Sequence, residues 1–101
     1  MSSIEFNWHA PADHPAFAGH FPGRPIVPGV VLLDQAILFA EKMLGYSVAQ
    51  WQIGQAKFYN PAQPEQALTF SLTTKESGAI GFIVRSGELQ IASGSLTPAT
   101  R

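Results

Sequence analysis

Residues 29–45 read Gly29-Val30-Val31-Leu32-Leu33-Asp34-Gln35-Ala36-Ile37-Leu38-Phe39-Ala40-Glu41-Lys42-Met43-Leu44-Gly45. Sixteen residues without proline, closed by a glycine suited to a left-handed stop, predict one helix from Gly29 to Leu44. Apolar residues cover nearly its whole circumference, which predicts a helix enclosed on most sides rather than laid on a surface. Asp34, Gln35, Glu41 and Lys42 interrupt the run, so it reads as a buried helix and not a membrane span. What encloses it follows from the flanking sequence.

Upstream, Ile4, Phe6 and Trp8 alternate with Glu5, Asn7 and His9, the period of a half-buried strand. Ala10 to Pro28 is rich in proline and glycine and predicts one long, extended loop with a short turn near Ala16. Loops of that length in a small domain are usually functional or disordered, and Phe17, Phe21, Ile26 and Val27 favour an ordered, packed path. Downstream, Trp51 and Ile53 begin a strand that runs toward Phe58 and ends at Asn60-Pro61. Leu68, Phe70 and Leu72 alternate with Thr69, Ser71 and Thr73. Turns at Glu76-Ser77-Gly78 and Ser86-Gly87 bracket Ile80, Phe82 and Val84, and a last strand beginning at Leu89 should end before Pro98. Short turns imply antiparallel neighbours. The expected fold is therefore α+β, an antiparallel sheet wrapped around one central helix, as a single domain over residues 1–101.

Composition narrows the function. Charged residues are only 13% of the 101 residues and hydrophobic ones 46%, so polar exterior is scarce and a large apolar surface hidden in an oligomer is expected. A net charge of −1 and the lack of a basic run argue against nucleic acid as a partner. With no cysteine, disulfides, thiol catalysis and cysteine–zinc sites are excluded. His9, His14 and His20 fit neither a helix face nor a zinc motif, so no metal is expected. No basic region followed by an apolar core opens the chain, which leads to an expectation of a cytoplasmic protein without a membrane span.

The segment preceding the helix carries the chemistry. Pro22, Pro25 and Pro28 fix φ and remove donors, holding His20 on a stiff path that leads to Gly29 and, soon after, to Asp34. The helix start points its unpaired N–H groups and positive dipole end toward that loop. A rigid histidine, a helix N-terminus and a carboxyl group within fifteen residues look like parts of an acid–base site. A histidine can be neutral at physiological pH and accept a proton. A carboxyl among Leu33, Ile37 and Leu38 should have its ionised form disfavoured by desolvation, which suits an acid.

Gly19-His20-Phe21-Pro22-Gly23-Arg24-Pro25-Ile26-Val27-Pro28-Gly29-Val30 resembles the active-site signature of bacterial β-hydroxyacyl-acyl-carrier-protein dehydratases of the FabA/FabZ type. That family has a hot-dog fold, the architecture expected above. Phe58-Tyr59-Asn60-Pro61, followed by Pro64 and Leu68, resembles the family's second strand and the turn after it. The resemblance implies that His20 is the catalytic histidine, Asp34 the catalytic acid, and Gly29 the helix-opening residue whose N–H polarises the thioester carbonyl. One such donor is worth roughly 3 kcal/mol in other oxyanion sites. Phe21, Arg24, Pro28 and Val30 would border the substrate. In the family the acid meets the histidine of the other protomer, so the site forms only in a dimer. Which group handles the C2 proton and which the C3 hydroxyl stays open.

The resemblance implies dehydration of 3-hydroxyacyl thioesters to trans-2-enoyl thioesters, without a cofactor. It also implies an acyl carrier protein as partner, with a homodimer or a hetero-oligomer with another hot-dog chain. Three departures stand out. Leu38 replaces a glutamine common four residues after the acid, Pro64-Glu65-Gln66 replaces Pro-Gly-Asp, and the family's N-terminal helix and first strands have no counterpart. The pattern is nearest to the short dehydratases of aryl-polyene or other secondary-metabolite pathways. A hot-dog thioesterase and a catalytically silent subunit are the alternatives. Phe17, Phe21 and Phe39 read first as core, and Arg24, Lys57 and Arg85 first as solvated charge, with Arg24 best placed to meet a carrier.

Overall fold

The computed structural model describes residues 3–13 and 26–99. Strand β1 (Ser3–Trp8) is followed by helix α1 (Gly29–Leu44) and by strands β2 (Trp51–Phe58), β3 (Leu68–Thr74), β4 (Ile80–Ser86) and β5 (Leu89–Pro98). All pairings are antiparallel, and the strand order is β1-β3-β4-β5-β2. Alternation decides the faces. Leu68, Phe70 and Leu72 of β3 and Ile80, Phe82 and Val84 of β4 are buried, while Ser71 and Ile83 between them turn outward.

Leu32, Ala36 and Ala40, spaced at four residues, are the buried line of α1. Phe39 packs beside them, stacked on Phe6 at 4.4 Å between ring centroids and set edge-on to Phe70 at 5.2 Å. Trp8 meets Phe70 edge-on at 6.0 Å, so one fully buried ring joins helix, β1 and β3. Phe39 is thus a packing residue. Each such side chain withdrawn from water stabilises the fold by about 1.5–3 kcal/mol.

The helix ends as its sequence predicts. Gly45 has φ 87°, and its N–H donates to Glu41 O at 2.9 Å. The Glu41 carboxylate then accepts from Val48 N at 3.0 Å and Trp51 Nε1 at 3.3 Å, tying the last turn of α1 to the start of β2.

Two expectations need correction. β5 continues through Pro98 instead of ending before it. Leu96 is its last residue paired with β4, opposite Ile80, and Pro98 pairs only with Trp51, at the strand's end where a missing N–H costs no ladder bond. The helix is also not enclosed by the described residues. Val30, Asp34, Leu38 and Lys42 form an exposed stripe opposite the buried line, with Val30 62% and Leu38 57% exposed. One sheet covers one side of a helix; apolarity on the other side has no partner among the described residues.

Candidate active site at the helix N-terminus

Pro28 occupies the N-cap position with φ −61° and ψ 146°, the extended geometry that proline favours. Its carbonyl accepts from Val31 N at 3.0 Å and Leu32 N at 3.4 Å. The N–H groups of Gly29 and Val30 lie in the first turn, too early to find an acceptor inside the helix. Val27 N donates to Ala62 O at 2.8 Å, so the segment before α1 is bound to the segment after β2. Between them lies an open cleft of about 460 Å³, bordered by Val27, Pro28, Gly29, Leu32, Phe58 and Pro61.

Phe58 is the residue that sequence reasoning missed. A Cβ built on Gly29 would stand 2.8 Å from Phe58 Cζ and 2.9 Å from the adjacent ring carbon, closer than real Cβ contacts. A side chain at position 29 would therefore have to displace the ring across from it. The signal was present as an aromatic residue ending a strand beside a glycine-opened helix, but periodicity does not say which residues meet.

Asp34 lies elsewhere. It is exposed, midway along the Val30–Leu38 stripe, and the cleft at Gly29 does not include it. Five residues separate Gly29 from Asp34, which rotates the acid about 140° around the helix from the glycine. The expected burial of Asp34 among Leu33, Ile37 and Leu38 is thus overturned for the single chain, because the sheet covers the opposite side. Val30 faces the same exposed stripe and not the cleft. Of the expected site residues, Pro28 and Gly29 share one cleft, Val30 and Asp34 share another face, and His20, Phe21 and Arg24 lie outside the described residues.

Of the remaining polar candidates, Arg85 has ordinary partners. Arg85 donates to Glu5 at 3.1 Å and to Ser71 Oγ at 2.9 Å. Ser71 also donates to Glu5, and this bond first, then Arg85, holds the Glu5 carboxyl below the usual glutamate range. Lys57 stands exposed on β2. Among the described residues no three histidine, aspartate or glutamate side chains gather as metal ligands, and no helix is long and apolar enough to cross a membrane.

Residues 1–95 match the ApeI-like family, described as ApeI dehydratase. The chain belongs to this dehydratase family. Among curated relatives, the 3-hydroxyacyl-[acyl-carrier-protein] dehydratase FabZ of Chlamydia trachomatis is 34% identical over 98 residues, covering 84% of this chain and 64% of the relative. The FabZ of Aliarcobacter butzleri is 38% identical over 71 residues, covering 58% of this chain and 48% of the relative. The chain therefore spans less than two thirds of the length of these relatives. Among solved structures, a chain of the dehydratase heterocomplex ApeI:P from Xenorhabdus doucetiae superimposes with a TM-score of 0.77 at 22% identity, over 94% of this chain and 85% of that one. An uncharacterised protein from Erwinia carotovora gives 0.71 at 24% identity, covering 94% and 81%. The ApeI-like chain thus has the hot-dog fold, with its antiparallel sheet against one helix.

Proposed function

We propose that this protein dehydrates 3-hydroxyacyl thioesters held on an acyl carrier protein, giving trans-2-enoyl thioesters, in a site shared by two chains. The observation that carries the reading is the separation of Gly29 from Asp34. A helix start with unpaired N–H groups opens one cleft, while the only acid among the described residues in the first half of α1 stands on a face uncovered by its own sheet. A carboxyl on an exposed apolar stripe serves a neighbouring chain more readily than the cleft behind it. In this reading the Gly29 N–H receives the thioester oxygen as negative charge develops at C1. His20 of one protomer and Asp34 of the other divide removal of the C2 proton and protonation of the departing C3 hydroxyl. Both steps are proton transfers, so water leaves with no redox change.

The reading extends to a single domain over residues 1–101, a cytoplasmic homodimer, and Pro28 and Val30 near the acyl group with Phe21 and Arg24. Family membership and the FabZ relatives support the reaction class. The test is complementation between two inactive variants. His20→Ala and Asp34→Ala should each abolish dehydration of a 3-hydroxyacyl carrier-protein thioester. Mixed and re-equilibrated, they should recover about a quarter of wild-type turnover, because half the dimers then hold one intact site. No recovery, with mixed dimers present, would rule out the shared site. Release of free thiol in place of the enoyl product would instead favour the thioesterase.

A second reading keeps the fold and changes the partner. The dehydratase heterocomplex ApeI:P, one chain of which shares this fold, supports pairing of this chain with a different subunit. Turnover only after adding such a subunit would favour it.

A further inference from the structure

The sheet face turned away from α1 carries a second depression, which shares one lining residue, Tyr59, with the cleft. We infer that it is a binding site for a small organic phosphate. Ser71 and Thr73 of β3, Gly81 and Ile83 of β4, and Ser93 and Ser95 of β5 alternate with buried Phe70, Leu72, Phe82 and Leu96. With Lys57, Tyr59 and Lys75 they border a dip of about 340 Å³. That volume is within the range of small-molecule sites, roughly 300–1,000 Å³.

Two lysines border it, and one of them folds over its floor. Gly81 leaves the floor without a side chain, and Lys75 folds back over it: a Cβ on Gly81 would stand 3.1 Å from Lys75 Cε and 3.7 Å from its Nζ. Lys57 borders the dip from β2, where it pairs with Ser93. Three of the four cationic side chains among the described residues, Lys57, Lys75 and Arg85, belong to this face, in a chain whose net charge is −1. The acid nearest to them in the sheet, Glu5, is occupied by Arg85 and Ser71. Glu76 follows Lys75 in the turn and does not line the dip.

The hydroxyls can be counted by donor. Ser71 gives its hydrogen to Glu5 and Ser95 gives its own to Gly54 O. Tyr59 and Ser93 share one bond of 3.0 Å, and Ser3 and Thr73 one of 2.8 Å, so each pair keeps one hydroxyl hydrogen to offer. Two ammonium groups and two spare hydroxyl hydrogens match an anionic group with several acceptor oxygens, and a phosphate monoester supplies three. Half-exposed Ile83 beside the bare Gly81 floor gives an apolar seat, which favours an organic phosphate over the bare ion.

Phenyl phosphate is the probe, titrated at fixed ionic strength into the isotope-labelled full chain while the amide resonances of Gly81, Ile83 and Ser93 are followed. The expected result is saturable shifts, with inorganic phosphate binding several-fold more weakly. Lys57→Gln and Lys75→Gln should each weaken binding by about tenfold. Gly81→Ala keeps both charges but displaces the Lys75 stem, and should weaken it as well. Thermal melts of each variant confirm that the fold is retained. Absence of saturation, or shifts unchanged in the Lys57→Gln/Lys75→Gln double variant, would overturn the inference. So would a response to an acidic protein without one to phenyl phosphate. None of these readouts depends on catalysis.

Discussion

Phe58 lies across the Cα of Gly29, with its ring atoms where any side chain at position 29 would begin. The first residue of the helix and the last residue of β2 are therefore matched by size. Gly29→Ala forces the ring aside, and because Phe58 is 51% exposed it has room to yield. A loss of about 1–2 kcal/mol is expected in urea unfolding, together with a large fall in turnover as the cleft reshapes. Gly29→Ala combined with Phe58→Ala should recover most of the stability. Equal instability in the double variant would show that the glycine is needed for another reason.

Glu41 acts as a clasp between α1 and β2. Its carboxylate accepts from Val48 N and Trp51 Nε1, and Glu41→Ala strands both donors. The expected cost is about 1–3 kcal/mol, read from the denaturation midpoint. Glu41→Gln keeps an acceptor oxygen and should lose less.

Glu65 has φ 63° in the turn that precedes β3, where the dehydratase pattern has glycine. A non-glycine residue pays roughly 1–2 kcal/mol for that conformation, whereas glycine carries an entropic cost of about 0.5–1 kcal/mol. Glu65→Gly should therefore be stabilising by about 0.5 kcal/mol, provided its N–H keeps the 2.7 Å bond to Ala10 O. A lower melting temperature would contradict this.

The Glu5–Arg85 pair predicts a modest acid sensitivity. Donation from Ser71, then from Arg85, lowers the folded-state pKa of Glu5. The contribution is fully present above the usual glutamate range and fades as pH falls through the lowered value. Melting temperatures recorded from about pH 6 down to about pH 3 should fall less steeply in Glu5→Gln than in the wild type. Because Glu5 is well exposed, the difference should be small and should shrink further in high salt.

Leu38 tests the exposed stripe. Its side chain is 57% exposed in the single chain, so Leu38→Lys should alter the stability of the isolated fold by no more than about 0.5 kcal/mol. If a second copy covers the stripe, sedimentation should show dissociation to monomer with the circular dichroism spectrum intact. An unchanged sedimentation profile would place the dimer contact elsewhere.

Local signals were the legible ones. Gly45 announced the helix stop, and the alternation of Leu68, Phe70 and Leu72 announced both a strand and its buried face. The neighbours β3–β4 and β4–β5 were legible from their short turns, but the places of β1 and β2 were not, since alternation assigns a residue to a face and not to a neighbour. The helix misled for a related reason. Val30 and Leu38 look like core residues in a sequence, and apolar character does not distinguish a side chain buried by its own sheet from one left for another chain. Phe58 was hidden because its partner is a residue with no side chain to suggest a contact.

The 140° turn between Gly29 and Asp34 has a kinetic meaning. If each working centre joins the cleft of one chain to the acid of another, catalysis obeys mass action before it obeys chemistry. Diluted below its dissociation constant, the protein would lose rate per molecule while every chain stayed folded. How much of it is present would then set not only the amount of catalyst but the fraction that is a catalyst at all.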